Sequence, residues 1–171
     1  MDRVRLSKRL SRALRHDPGR VGLTLDAQGW VSLDALCRAL QVSRADVEDV
    51  VAHGSKARFE LADGRIRARY GHSLPGHVAL PPADPPDELF HGTSSVVVDA
   101  ILRDGLLPAG RQYVHLSQDP DTARTVGARH GRPVVLVVDA RAAAADGAVF
   151  RRGNDDTWLT DALDPRYLRR A

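Results

Sequence analysis

A guanidinium and an imidazole stand side by side at Arg15-His16, where the stretch VRLSKRLSRALRHDP ends. Nearly every polar residue of that stretch is cationic. Arginine forks onto phosphate oxygens and histidine titrates near neutral pH, so the pair suits holding a phosphate and moving a proton beside it. Other short polar segments could share such a site: Lys56-Ala57-Arg58-Phe59, Gly71-His72-Ser73, His91-Gly92-Thr93, Gly110-Arg111 and His115-Leu116-Ser117. Each alone also has an ordinary reading. A His-Gly-Thr at a strand end fits a satisfied turn, His115 fits an inward-facing strand residue, and His72 can hydrogen-bond its own loop. The basic stretch itself fits a solvated amphipathic helix.

Several chemistries lack their residues. Seven histidines and a single cysteine show no paired ligand spacing, which argues against a metal site. There is no G-x-S-x-G elbow, no P-loop and no dinucleotide glycine fingerprint, so any nucleotide must be held in another way. The lone Cys37 excludes a disulfide framework and reads as a small core residue. No run of residues approaches a transmembrane span, and the first residues are too charged for a signal peptide. A cytoplasmic protein with no membrane partner is expected. Lys and Arg exceed Asp and Glu only by 25 to 22, but the first twenty residues hold seven Lys or Arg against two Asp. That clustering points to a polyanionic partner, nucleic acid before membrane.

The elements that must position these residues follow from periodicity. Leu6, Leu10, Ala13 and Leu14 form one apolar stripe of a helix, and Arg5, Arg9, Arg12 and His16 recur on another face with Lys8 and Arg15 beside them. Asp17-Pro18-Gly19 stops that helix. Ser32 reads as the N-cap of a second helix carrying Leu33, Leu36, Cys37 and Leu40. Ser43 opens a third with Val47, Val50 and Val51 inward, Asp46 at the capping-box position and Gly54 as its stop. Alternation about Asp63-Gly64 predicts a hairpin whose outer face carries Arg58, Arg65, Arg67 and Arg69. Three helices and a hairpin are the order of a winged-helix module, and the hairpin arginines suit phosphate contact, although alternating charge is also the usual solvated face of a hairpin.

Four of the ten prolines lie between Pro81 and Pro86, which reads as a stiff linker at 81–86 between lobes 1–80 and 87–171. The second lobe is strand-rich. Strands are expected at Leu89–Thr93, Tyr113–Ser117, Val134–Val138, about Val149-Phe150 and at Thr157–Leu159. Helices are expected at Val97–Leu102 and from Asp119-Pro120 to His130. The fold class is α+β.

Taken in order, LSKRLSRALRHDP, GLTLDAQGWV, KARFEL, IRARYGHS, FHGTS, GLLPAGRQYVHLS, VGARHG and NDDTWLT resemble the NAD-dependent RNA 2′-phosphotransferases over most of the chain. The resemblance implies a winged-helix RNA-binding lobe joined to an ADP-ribosyltransferase-like NAD lobe. It implies that an internal 2′-monophosphate of RNA attacks the nicotinamide ribose of NAD and expels nicotinamide. The neighbouring ribose hydroxyl then takes over the phosphate, leaving a 2′-OH on the RNA and ADP-ribose 1″,2″-cyclic phosphate, with no metal. Matching positions give Arg15, His16, Arg58 and Arg111 as the catalytic set. His91, Gly92, Thr93, His115 and Ser117 match the cofactor strands, with Gly127 and Arg129 lining the same pocket. Lys8, Arg12, Arg65 and Arg67 are expected to meet the RNA backbone, and the protein is expected to be a monomer. Tyr70 and Tyr113 stand where the family usually has glutamine and histidine. Two rival readings use the same residues: an ADP-ribosyltransferase that caps terminal phosphates of RNA or DNA, and a non-enzymatic winged-helix regulator with a ligand-sensing second lobe.

Overall fold

A computed structural model describes residues 2–74, 76 and 78–171. The chain divides into two compact units, Met1–Leu80 and Pro81–Ala171, each around its own apolar cluster. The proline run is held by the second unit. Pro82 bridges to Arg151, and the Ala83 N–H donates to the Phe150 carbonyl at 2.8 Å. At these residues the segment expected as a linker is an edge contact.

In the first unit, helix α1 (Arg3–Arg15) starts at Asp2, whose carboxylate accepts from the Val4 and Arg5 N–H groups. Leu6, Leu10, Ala13 and Leu14 are all buried, as the stripe predicts. A short 3-10 turn, Gly19–Val21, follows the break at Asp17-Pro18. Strand β1 (Val31–Ser32) leads directly into α2 (Leu33–Leu40), where Ser32 Oγ accepts from the Ala35 N–H at 3.3 Å. Helix α3 (Arg44–His53) begins at Ser43, whose hydroxyl accepts from the Asp46 N–H at 3.1 Å and donates to the Asp46 carboxylate at 2.6 Å. Its end differs from expectation. Gly54 has an extended backbone rather than a left-handed one. A side chain there would stand 2.9 Å from the Val50 carbonyl, so the glycine permits a close approach instead. Strands β2 (Phe59–Ala62) and β3 (Arg65–Ala68) are joined by Asp63 and Gly64, both at positive φ as a two-residue hairpin loop requires. β1 pairs antiparallel with β3, which gives the order β1-β3-β2. Cys37 is half-buried and packs against this unit's core.

The second unit is a six-stranded sheet with three short helices. Its elements are β4 (Glu88–Ser94), α4 (Val98–Asp104), β5 (Val114–Ser117), α5 (Pro120–Gly127), β6 (Pro133–Asp139), α6 (Ala140–Ala145), β7 (Phe150–Arg152), β8 (Thr157–Thr160) and β9 (Leu168–Arg170). Every pairing is antiparallel, in the order β7-β8-β5-β4-β6-β9. The central strand β4 pairs with β6 along its whole length, from Glu88↔Asp139 to Ser94↔Pro133, and meets β5 at Phe90↔Ser117. No described helix is long and apolar enough to cross a membrane.

Candidate active site

Arg15 is the last residue of α1 and is half-buried, not spread on the outer face with its basic neighbours. Its guanidinium carbon lies 4.9 Å from the centre of the buried Tyr70 ring and 5.8 Å from that of Phe59. An aromatic face attracts a guanidinium and restricts it to a plane. After Tyr70 the chain turns through Gly71 at positive φ and returns to the end of the helix. There the Ser73 N–H donates to the Arg15 carbonyl at 2.8 Å, supplying a partner to one of the carbonyls that a helix end leaves over. Ser73 Oγ lies 2.7 Å from His16 Nδ1, so the same residue orients the exposed imidazole. One segment, Tyr70–Ser73, therefore holds both members of the Arg15-His16 pair.

Arg58 is half-buried at the head of β2, next to Phe59, and its carbonyl accepts from the Arg69 N–H at 2.9 Å. Arg69 carries a buried Nε with no hydrogen-bond partner among the described residues. The other hairpin arginines have partners. Arg67 pairs with Glu60 at 2.7 Å and lies 4.5 Å from the Trp30 ring centre. Arg65 lies 5.2 Å from the same ring and 3.5 Å from the Asp26 carboxylate. Lys8 and Arg12 are exposed on α1.

Arg111 belongs to the second unit, and the other three members of the expected catalytic set belong to the first. It is exposed on the turn before β5, where Ala109 and Gly110 both take positive φ and the Arg111 N–H donates to the Pro108 carbonyl at 3.2 Å. The expected cofactor residues gather on β4, β5 and α5. His91 Nδ1 lies 3.0 Å from the His115 carbonyl, and His115 Nδ1 lies 3.0 Å from the Tyr113 carbonyl. A carbonyl only accepts, so both Nδ1 atoms carry the proton. Thr93 and Ser117 bring buried hydroxyls to the same two strands. Arg129 is exposed on the 3-10 turn Ala128–His130 after α5. Gly92 and Gly127 face each other across the α5–β4 contact. A side chain on Gly92 would meet the Ala123 carbonyl oxygen at 1.6 Å, and one on Gly127 would meet the Thr93 oxygen at 2.6 Å. Their absent side chains allow helix and strand to touch, and His91 and Thr93, on either side of Gly92, turn their side chains to the opposite face of β4.

Burial holds the His91 imidazole below the ordinary histidine range. The charge of His130 acts the same way, and the hydrogen bond to the His115 carbonyl opposes both. A neutral His91 with its proton on Nδ1 presents Nε2 as an acceptor. An unfolded histidine titrates near about pH 6.5, so between that value and the lower folded one the unfolded chain binds a proton that the folded chain does not. Stability is therefore expected to fall as pH drops below about 6.5 and to level off below the folded value. His91→Asn keeps a donor towards the His115 carbonyl and removes the titration. Urea unfolding of both proteins from about pH 7.5 to about pH 5 is expected to show a steeper loss for the wild type. Identical slopes would contradict a depressed His91.

The sequence singled out Gly71-His72-Ser73 without a role and gave Tyr70 none. The contacts of Tyr70 and Ser73 with Arg15 and His16 span more than fifty residues, and no local pattern signals them. Nor does any local pattern mark Trp30 as the ring on which Arg65 and Arg67 lie.

A model of the RNA 2′-phosphotransferase, Tpt1/KptA family matches residues 1–162. Proteins called probable RNA 2′-phosphotransferase align with nearly the whole chain. The one from Streptomyces griseus is 48% identical over 96% of this chain and 95% of its own length. That from Acetivibrio thermocellus is 43% identical over 99% and 97%, and that from Agrobacterium fabrum is 48% identical over 95% and 91%. With similarity running through both units and a guanidinium–imidazole pair fixed at the end of α1, the chain belongs to the RNA 2′-phosphotransferase (Tpt1/KptA) family and is a transferase.

Proposed function

We infer that this chain removes an internal 2′-monophosphate from RNA by transferring it to NAD, with release of nicotinamide and ADP-ribose 1″,2″-cyclic phosphate. The observation that carries the reading is the fixed Arg15-His16 pair, in a chain whose relatives are called RNA 2′-phosphotransferases. The helix–strand–helix–helix–hairpin order of the first unit supports its reading as a winged-helix RNA lobe. The six-stranded antiparallel second unit serves as the ADP-ribosyltransferase-like NAD lobe. The residues there suit a dinucleotide: the Nε2 acceptor of His91 and the hydroxyls of Thr93 and Ser117 can meet ribose and amide groups. NAD supplies an electrophilic sugar carbon whose leaving group departs without protonation.

The RNA phosphate is already an anion, so the first step asks the protein for placement more than for a base. Arg15 and Arg58 hold its oxygens by bidentate contacts, and His16 adds a hydrogen bond from its ring. Stacking on Tyr70 lets Arg15 present its fork in one orientation. In the second step Arg111 stabilises the charge that gathers on the phosphodiester as the ribose hydroxyl attacks. His16 moves the proton released by that hydroxyl. Activity then depends on the protonation of His16, the titratable member of the set near neutral pH.

The test is incubation with a short 2′-phosphorylated RNA, with and without NAD. The expected products, separated by mass, are 2′-OH RNA, nicotinamide and the cyclic phosphate, none of them formed without NAD. Release of inorganic phosphate without nicotinamide would overturn the reading. A stable ADP-ribosylated RNA would show that transfer stops after the first step.

A further inference from the structure

The basic residues of α1 and of the hairpin differ in what surrounds them. Arg3 is paired with Asp49 at 2.7 Å, Arg9 donates to the Leu40 carbonyl, Arg67 is paired with Glu60 and Arg65 lies beside Asp26. Arg5, Lys8 and Arg12 are exposed on α1 and have no acidic partner among the described residues. At about 100° per residue, Arg5, Lys8, Arg12 and His16 fall within about 80° of the helix circumference. Their stripe lies away from the buried Leu6, Leu10 and Leu14. It runs about 16 Å along the axis, from the first turn of α1 to the imidazole at its end. Arg5, Lys8 and Arg12 thus form a row of cations, without acidic partners among the described residues, that leads to the residues assigned to the 2′-phosphate.

We propose that the RNA strand lies along the outer face of α1, with phosphates flanking the reacting nucleotide held by Arg12, Lys8 and Arg5, and that the Arg65–Trp30–Arg67 stack is a structural clasp outside this path. The proposal rests on the reading of Arg15-His16 as the 2′-phosphate clamp. Charge complementarity selects the occupant. A row of exposed cations without side-chain ion pairs among the described residues attracts a regularly charged polyanion, whereas Arg65 and Arg67 already have carboxylates and one indole between them. The strand is bound without base recognition, because phosphate contacts set position and not sequence.

The test uses the full chain with Arg5→Gln, Lys8→Gln and Arg12→Gln combined. All three side chains are exposed, and glutamine is a good helix former, so α1 is retained. Binding of a 12-nucleotide single-stranded RNA with a central 2′-phosphate is followed by fluorescence anisotropy, without NAD, at several salt concentrations. Each lost phosphate contact on a single strand lowers the slope of log affinity against log salt by about 0.7, so the triple variant is expected to lose about 2 from that slope. An Arg38→Gln/Arg44→Gln variant, altered on α2 and α3, is expected to keep the wild-type slope, and so is Arg65→Gln. Turnover supplies a second reading. With a 2′-phosphorylated dinucleotide the triple variant is expected to match the wild type, and with the 12-mer its KM is expected to rise at unchanged kcat. An unchanged slope, or an equal loss in the control variants, would overturn the proposal. If no RNA loses its phosphate with any protein, the assigned reaction fails, while the salt slopes still report the path of the strand.

Discussion

Arg15→Ala is expected to lower kcat/KM for NAD-dependent 2′-phosphate removal by about a hundred- to a thousandfold, the usual loss when one preorganised charge contact on a reacting group is deleted. The fold is expected to survive, because Arg15 ends α1 after the last buried leucine and its backbone contact with Ser73 does not depend on its side chain. Arg15→Lys separates charge from geometry. Lysine keeps the charge but loses the planar fork that two phosphate oxygens require and the face that stacks on Tyr70, so most of the loss is expected to persist. Tyr70 supplies a graded check. Tyr70→Phe keeps the ring beneath the guanidinium and is expected to stay near the wild type, whereas Tyr70→Leu removes the aromatic face and costs about two- to thirtyfold, as a cation–π contact predicts. Steady-state turnover of a 2′-phosphorylated RNA at saturating NAD measures all four variants. Near-wild-type turnover in Arg15→Ala would remove this residue from the reaction. Equal losses in Tyr70→Phe and Tyr70→Leu would mean that the hydroxyl, and not the ring, sets the position of Arg15.

How much of this was legible in the sequence depended on range. The stripe of α1, the caps at Ser32, Ser43 and Asp119 and the hairpin at Asp63-Gly64 are local signals, and each element forms where its signal lies. Strand β1 has only two residues and exists because β3 lies opposite, Val31 to Ile66 and Ser32 to Arg65. Strand β9 is a three-residue edge carrying two arginines, and only its register against β6 makes it a strand. Helix α6 carries a local signal of its own: Asp139 accepts from the Ala142 N–H at 2.9 Å, and the alanines that follow favour helix strongly. At the candidate site, residue types and order marked Arg15, His16 and Gly71-His72-Ser73 in separate segments. What no local pattern carried was the closure of Tyr70 and Ser73 onto the helix end. Nor did any local pattern show that Arg65 and Arg67 fold onto Trp30 beside carboxylates, while Arg5, Lys8 and Arg12 have no acidic partner among the described residues.

Gly92→Ala is expected to be the most damaging single methyl in the second unit. The added carbon would stand 1.6 Å from the Ala123 carbonyl oxygen and 2.8 Å from the Gly127 nitrogen, both backbone atoms that no side-chain rotation can move aside. Helix α5 would have to lift from β4, the central strand of the sheet. Overpacking against side chains costs about 1–3 kcal/mol, and against backbone the cost is expected to reach about 3 kcal/mol or more. Gly127→Ala gains about 1 kcal/mol of helix propensity, which offsets part of its clash with the Thr93 carbonyl at 2.6 Å, so a smaller loss is expected there. Both effects belong to the second unit. Hydrogen exchange is therefore expected to lose protection over β4 and α5 while α1 to α3 keep theirs, and the urea midpoint of the second unit is expected to fall in the same order. Because His91 and Thr93 flank Gly92, any Gly127→Ala protein that remains folded is expected to show a raised KM for NAD with little change in its affinity for RNA. A wild-type midpoint for Gly92→Ala would mean that α5 can slide over β4 without loss. The two glycines would then have to be explained by direct approach of a ligand to the strand, and not by the close contact of α5 with β4 at Gly92, between His91 and Thr93.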